Sequence, residues 1–282
     1  MPKLPPDFIF SQASLQDFLT CPRRFYLRYL RRLAWPSAAG GESFEWEQHL
    51  SLAQDFHRLA QQKALGISDE TLEPLVQKRS TELFEWWTHL CHYWQNAARD
   101  VLLGRRYAEL TLTASLTNAR LLAKYDLLVA HPDGRWSIID WKTNRRRPAA
   151  SELQNLVQSR LYPYLLVRAG TSLTGGQAIE PENVTMLYWF THDPTFPEII
   201  PYSREQYQAD EDFLLRLIEE ILGRQEADFV LTTDERHCAY CPYRTYCDRP
   251  FLPLSELNPE ENAELLELSL PPDWEQIGEI EY

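Results

Sequence analysis

The sequence predicts an α/β fold, a small mixed sheet flanked by helices with a helical insertion ahead of the first long strand. Three observations carry this. Apolar runs over 106–117, 120–131 and 135–142 read as successive strands. Stretches with helical spacing of apolar residues lie on both sides of them, over 44–65, 70–102, 151–168 and 204–223. Asp133-Gly134 sits between two of the apolar runs, a hairpin signal because both residues accept the positive φ of a tight turn.

The elements follow in order from local chemistry. Ser14–Thr20 reads as a short helix with a capping box from Ser14 to Asp17. Pro22 opens a second helix that runs to Arg32, since proline fits the first helical turn. Residues 44–65 and 70–102 form the helical insertion, and Trp86, Trp87 and Trp94 of the second helix belong to a core. Three strands come next, then a helix over 151–168 and a loop at Gly175-Gly176. Strands over 183–192 and 197–201 precede a helix over 204–223, which leads into a cysteine-rich loop. The proline-rich stretch Pro250–Pro259 marks a boundary, giving one domain over 1–250 and an acidic tail over 251–282. No internal repeat or low-complexity segment is present.

Two acids and a lysine fall on the predicted hairpin. Asp126 lies in the run Leu121–Ala130, and Asp140-Trp141-Lys142 ends the strand after the turn. Side chains alternate along a strand, so Asp140 and Lys142 project from one face, and the hairpin partner brings Asp126 beside them. Like charges held together out of water need a cation to neutralise them. Two carboxylates suit a hard ion such as Mg²⁺ or Mn²⁺, and a lysine beside them suits an attacking water or developing negative charge. That combination is the chemistry of phosphodiester hydrolysis.

Five cysteines are present, Cys21, Cys91, Cys238, Cys241 and Cys247. The last three form C-x2-C-x5-C, a spacing that makes a short loop into a metal or cluster site. Cys21, followed by proline and an aromatic-basic segment, is the candidate fourth ligand. Four thiolates suit zinc and a [4Fe–4S] cluster alike. A centre joining Cys21 to the other three closes a loop long enough to remove about 4–5 kcal/mol of denatured-state freedom. Cys91, in a tryptophan-rich helix, reads as an ordinary buried thiol. An odd count without a secretory leader argues against a disulfide framework and places the chain in the cytoplasm.

The order of these motifs resembles the iron–sulfur branch of the PD-(D/E)XK nucleases, the group that includes Cas4, the nuclease domain of AddB and other RecB-like exonucleases. The resemblance covers residues 11–250. It runs from an entry helix into Cys-Pro-x-x-Phe (Ser11–Tyr26), then a helical His57, Asp126, the Asp140-x-Lys142 pair, Gln158-x-x-x-Tyr162, and the closing cysteines. It implies a restriction-endonuclease-like core and a DNA-cleaving enzyme acting on single-stranded ends or flaps, in repair, recombination or CRISPR adaptation. It implies His57, Asp126, Asp140 and the carbonyl of Trp141 as metal ligands and Lys142 as the catalytic lysine. Gln158 and Tyr162 are implied as helical residues facing the site together. Cys21, Cys238, Cys241 and Cys247 are implied as ligands of a [4Fe–4S] cluster. Glu109 is a further acid on the strand before Asp126. The chain departs from its relatives at Gln54 and at Lys124-Tyr125, where they often carry glycine. A non-catalytic DNA-binding subunit that kept the fold, and a zinc-stabilised interaction module, are the alternatives.

The net charge of −13 is at first sight wrong for a DNA-binding chain. Nine of the 41 acids, however, fall in residues 256–282, which contain no Lys or Arg, leaving 32 acids against 28 bases elsewhere. Bases cluster at Arg23, Arg24, Arg28, Arg31 and Arg32, at Arg105-Arg106, and at Arg145-Arg146-Arg147 just past Lys142, where a phosphate backbone would run. The tail, with Leu265, Leu266, Leu268, Leu270 and Trp274 among its acids, competes with DNA for those bases or carries a protein contact. No run approaches a transmembrane span.

Overall fold

The computed structural model describes residues 4–33, 42–96, 102–144, 147–238 and 241–249; the side chains of 42–47 and 50 are not described. The acidic tail, Arg145 and Arg146 lie outside the described residues. The chain forms two compact units, one from residues 42–112 and 124–208, the other from 4–33, 113–123 and 209–249.

The larger unit is built on strands β2 (Arg105–Leu116), β3 (Ala119–Ala130), β4 (Trp136–Lys142), β5 (Val184–Phe190) and β6 (Glu198–Pro201), of which β2 and β3 continue beyond it. The Asp133-Gly134 hairpin forms as expected. Leu127 faces Ile139 and Ala130 faces Trp136 across an antiparallel pair. Gly134 takes φ +89°, and His131 N–H donates to Arg135 O at 2.8 Å to close the turn. β5 lies parallel to β4, with Asp140 opposite Tyr188 and Lys142 opposite Phe190. Two parallel neighbours need a crossover, and helices α6 (Ala150–Asn155) and α7 (Val157–Ala169) supply it. β6 returns antiparallel to β5. Mixed pairing and flanking helices make this the mixed α/β sheet that the sequence predicts.

The helical insertion comprises α3 (Glu42–Ala64), α4 (Asp69–Arg79) and α5 (Thr81–Gln95). The single helix expected over 70–102 is two helices. The break is at Ser80, an extended residue (φ −166°, ψ 157°) whose Oγ accepts Leu83 N–H at 3.0 Å and caps α5. On α5, Leu83, Trp86, Trp87, Leu90 and Tyr93 recur at helical spacing and are buried. They join Phe56, Trp141 and Trp189 in one core, so Trp86 and Trp87 pack as core residues. Ile139 and Trp141 on β4 face this core. Asp140 and Lys142 therefore take the opposite face of the strand.

In the smaller unit, β1 (Ile9–Ser11) pairs parallel with Arg120–Leu122 of β3. The sequence reading lacked β1, too short to show a period. Helix α1 (Gln12–Thr20) starts earlier than expected. Its N-cap is Ser11, whose Oγ accepts Ser14 N–H while Ser14 Oγ accepts Ser11 N–H. The Ser14–Asp17 box does not form, because Asp17 is buried in ion pairs instead. The helix expected from Pro22 to Arg32 is α2 (Pro22–Phe25) followed by a π-helical turn over Tyr26–Leu30. Phe25 stacks on Phe229 at 6.2 Å, Tyr26 OH donates to Glu226 at 2.5 Å, and Arg23 N–H donates to Val230 O at 3.1 Å. These contacts join the N-terminal segment to the stretch after α8 (Arg204–Gly223).

Candidate active site

Four elements of the larger unit bring the predicted residues together. β4 contributes Asp140 and Lys142, α7 contributes Gln158, β3 contributes Asp126 and α3 contributes His57. Asp140, 5% exposed, has Oδ2 at 3.0 Å from Lys142 Nζ, and its Oδ1 accepts from Gln158 Nε2. Lys142 Nζ donates to Gln158 Oε1 at 3.1 Å. Asp140, Lys142 and Gln158 thus form a closed triangle in which each side chain fixes the other two. The Lys142 ammonium also lies 5.6 Å over the ring of Tyr188. Tyr188 OH is 2.7 Å from Ser159 Oγ, beside Gln158 on α7.

Asp126 stands next to this triangle. Its Oδ2 accepts Trp141 N–H at 2.9 Å, tying it to the residue between Asp140 and Lys142. Its Oδ1 lies 3.3 Å from His57 Nδ1. Desolvation works against a charged imidazole, yet the Asp126 carboxylate, helped by Asp140 and Glu109, raises the His57 pKa to about 9. Desolvation likewise opposes the Asp126 charge, and His57, Trp141 N–H and Lys142 reverse that and hold its pKa below the usual range. Glu109 enters the neighbourhood through its field on His57 and its own ion pair with Lys124 at 2.5 Å.

Tyr162, one turn on from Gln158, is buried. Its ring packs on Tyr125 at 5.1 Å, and its carbonyl accepts Tyr125 OH at 2.8 Å. The ring of Trp141 is buried against Trp189. Arg147, expected near a phosphate backbone, is paired with Asp193 at 3.0 Å and Glu198 at 2.9 Å, and also donates to Phe196 O. Tyr188 was missed by sequence reasoning; its signal is the parallel register that sets it opposite Asp140.

Carboxylate oxygens with one imidazole form a donor set for a hard divalent ion. Among the described residues no three His, Cys, Asp or Glu side chains are grouped as a ready metal cage. At the hairpin the reason is visible: the oxygens of Asp126 and Asp140 are engaged by His57, Trp141 N–H, Gln158 and Lys142. Charged His57 and Lys142 give these carboxylates the positive partners that a divalent ion would otherwise provide; the donor set would fit such an ion with His57 neutral and turned to it.

The smaller unit gathers the other predicted set. Cys21, Cys238, Cys241 and Cys247 line one pocket with Arg24, His237 and Tyr243. All four are free thiols. Burial raises the pKa of Cys238 and Cys247 and pushes Cys241 up to about 11; the field of Cys21 adds to each shift. The raised values favour the neutral thiols, and a metal bound here would have to displace their protons. Cys91 belongs to the larger unit, in α5, its pKa pushed up to about 11 by burial.

A family model for the PD-(D/E)XK nuclease superfamily matches residues 9–248. Among solved structures, that of a candidate exonuclease from Eubacterium rectale aligns with TM-score 0.48 at 12% identity, over 77% of this chain and 83% of the other. A second, of the protein SSO0001, aligns with TM-score 0.42 at 13% identity, over 86% of each. No curated protein matches the sequence.

Proposed function

We propose that this chain, which belongs to the PD-(D/E)XK nuclease superfamily, is a metal-dependent deoxyribonuclease of the iron–sulfur Cas4, AddB and RecB-like branch, cutting single-stranded ends or flaps. The observation that carries the reading is the Asp140–Lys142–Gln158 triangle locked beside Asp126 and His57. Such a site is preorganised, so little reorganisation is left for the reaction itself. In this reading His57, Asp126, Asp140 and the Trp141 carbonyl hold Mg²⁺ or Mn²⁺. The bound ion supplies Lewis-acid stabilisation of the phosphate and a more acidic water. Lys142 holds the attacking water and offsets charge developing on the phosphate. Gln158 keeps Lys142 aimed and away from other partners. Tyr162 seats α7 against β3 through Tyr125, so that Gln158 keeps its reach. The nuclease domain spans 1–250, and the tail over 251–282 limits non-specific DNA binding or meets a protein partner.

The test is an anaerobic, Mn²⁺-supplemented assay on end-labelled single-stranded, duplex and flap DNA. The parent should cleave, and Asp140→Ala and Lys142→Ala should each lose at least about 10²-fold in rate while keeping the parent circular dichroism. A Lys142→Ala protein that cuts at the parent rate overturns the site. A parent that binds DNA tightly but never cuts it, with any divalent ion, supports the scaffold alternative.

The four-cysteine pocket carries the second part of the reading, a [4Fe–4S] centre held by Cys21, Cys238, Cys241 and Cys247. Alanine at any of the four should bleach the brown colour and lower thermal stability, while Cys91→Ala keeps both. Zinc in place of iron on elemental analysis would sink the cluster and leave a zinc staple. Parent colour in Cys21→Ala would remove that residue from the ligand set.

A further inference from the structure

Beside the cysteine pocket lies a buried ion cluster that the proposed chemistry does not use. Asp17, on α1, receives two guanidinium groups: Arg24 Nη2 at 2.7 Å on one carboxylate oxygen and Arg28 Nη1 at 2.6 Å on the other. The side chains of Asp17, Arg24 and Arg28 are all at most 2% exposed. One carboxylate cannot balance two guanidiniums, so these three groups leave a positive charge in a dry place. Arg24 lines the pocket with the four cysteines; its Nη2 meets Asp17 as an ion pair without a hydrogen bond, and neither Nη2 nor Nε has a hydrogen-bond partner among the described residues. A buried guanidinium with an unmade hydrogen bond facing a pocket is costly, and it calls for an acceptor there, an anion best of all.

We propose that Arg24 is the positioning residue and counter-charge of the metal centre held by the four cysteines, with Asp17 setting its direction. This rests on the reading of that pocket as a thiolate-bound centre. Four thiolates around a metal or cluster leave a net negative charge. Arg24 supplies a compensating charge and a hydrogen-bond donor, and Arg28 keeps Asp17 neutralised so that the carboxylate does not repel the thiolates. Second-sphere groups of this kind tune a centre's potential and retention of metal. The signs are definite. Removing the Arg24 charge disfavours the more negative, reduced cluster and lowers its midpoint potential. Removing the Asp17 charge does the opposite.

The experiment uses the full chain purified anaerobically, in parent form and as Arg24→Gln, Arg24→Lys and Asp17→Asn. Visible absorption and elemental analysis of the parent come first, because they judge the cluster independently of Arg24. With iron and sulfide present, potentiometric titration reads the midpoint potential and a chelator reads the rate of metal release. Arg24→Gln should lose metal about tenfold faster. Its reduced form should be disfavoured about tenfold, a shift of about 59 mV for a one-electron couple. Arg24→Lys, which keeps the charge, should stay near the parent, and Asp17→Asn should shift the potential upward. A purely structural role would not give opposite signs for two members of one ion cluster. If Arg24→Gln does not fold, Asp17→Asn and Arg24→Lys decide. An Asp17→Asn potential equal to or below the parent's, or parent release and potential in a folded Arg24→Gln, overturns the proposal. A parent that carries zinc defeats the cluster, and zinc release to the chelator then tests Arg24 by the same tenfold criterion.

Discussion

His57 shows how one residue links charge, stability and metal affinity. The Asp126 carboxylate raises its pKa to about 9, so the metal-free protein keeps the imidazole protonated through neutral pH. A raised pKa means that the pair's contribution is complete below the unfolded value of about 6.5 and is lost as pH rises through about 9. The depressed Asp126 value adds the opposite limit. Its contribution is present above the ordinary carboxylate range and disappears as pH falls through the native value. Comparing His57→Ala with the parent in urea, without divalent ions, should therefore give the largest difference near pH 5–6, one that shrinks as pH rises past about 6.5 and is nearly gone above about 9. Metal affinity should run the other way. A ligating imidazole must shed its proton, so Mn²⁺ binding measured by calorimetry should tighten with pH up to about 9 and release protons. A pH-independent affinity would exclude His57 as a ligand. At this scale much of the site was legible. Strand alternation placed Asp140 and Lys142 on one face, and the hairpin placed Asp126 beside them. The Gln158 bridge and the Lys142–Tyr188 contact were not legible from spacing, because Gln158 sits on the crossover helix and Tyr188 on the parallel strand that the crossover leads to.

At the scale of elements, what failed in the sequence reading was mostly punctuation. Serine is a poor guide because it caps helices and also rides on their surfaces. Ser80 sits inside a continuous apolar period, yet it breaks the run into α4 and α5 and caps the second. Ser14 has the spacing of a cap with Asp17 as its partner, but Asp17 serves Arg24 and Arg28, and the cap is Ser11. Tertiary ion pairing outweighed a local bond there, and nothing local announces it. Removing the Ser80 hydroxyl should expose the difference. Ser80→Ala should lower stability by about 1 kcal/mol, read by chemical denaturation, with no change in cleavage. If α4 and α5 were a single uninterrupted helix, the same change would be neutral or slightly stabilising, since alanine is the better helix former.

On the scale of the whole molecule, net charge is a poor index of what the chain touches. Balanced charge outside residues 256–282 leaves local patches free to matter. The patches must still be inspected, because a basic run in a sequence is not yet a basic surface. Arg24 and Arg28 are interior groups, and no helix of the described residues is long and apolar enough to cross a membrane. Arg147 is the instructive case. Its guanidinium holds Asp193, Glu198 and the carbonyl of Phe196, and it lies 5.3 Å over the ring of Phe190, so it clasps the β5–β6 connection. The consequence is countable in released ions. Each phosphate neutralised by a protein cation frees condensed counterions and steepens the dependence of log K on log salt by about 0.7–0.9. A cation already neutralised by two carboxylates frees none. Arg147→Ala should therefore leave the salt slope of DNA binding where it was, even if the loosened hairpin weakens binding at every salt concentration by the same factor. A slope shallower by nearly one unit would mean that Arg147 exchanges its carboxylates for phosphate when DNA arrives.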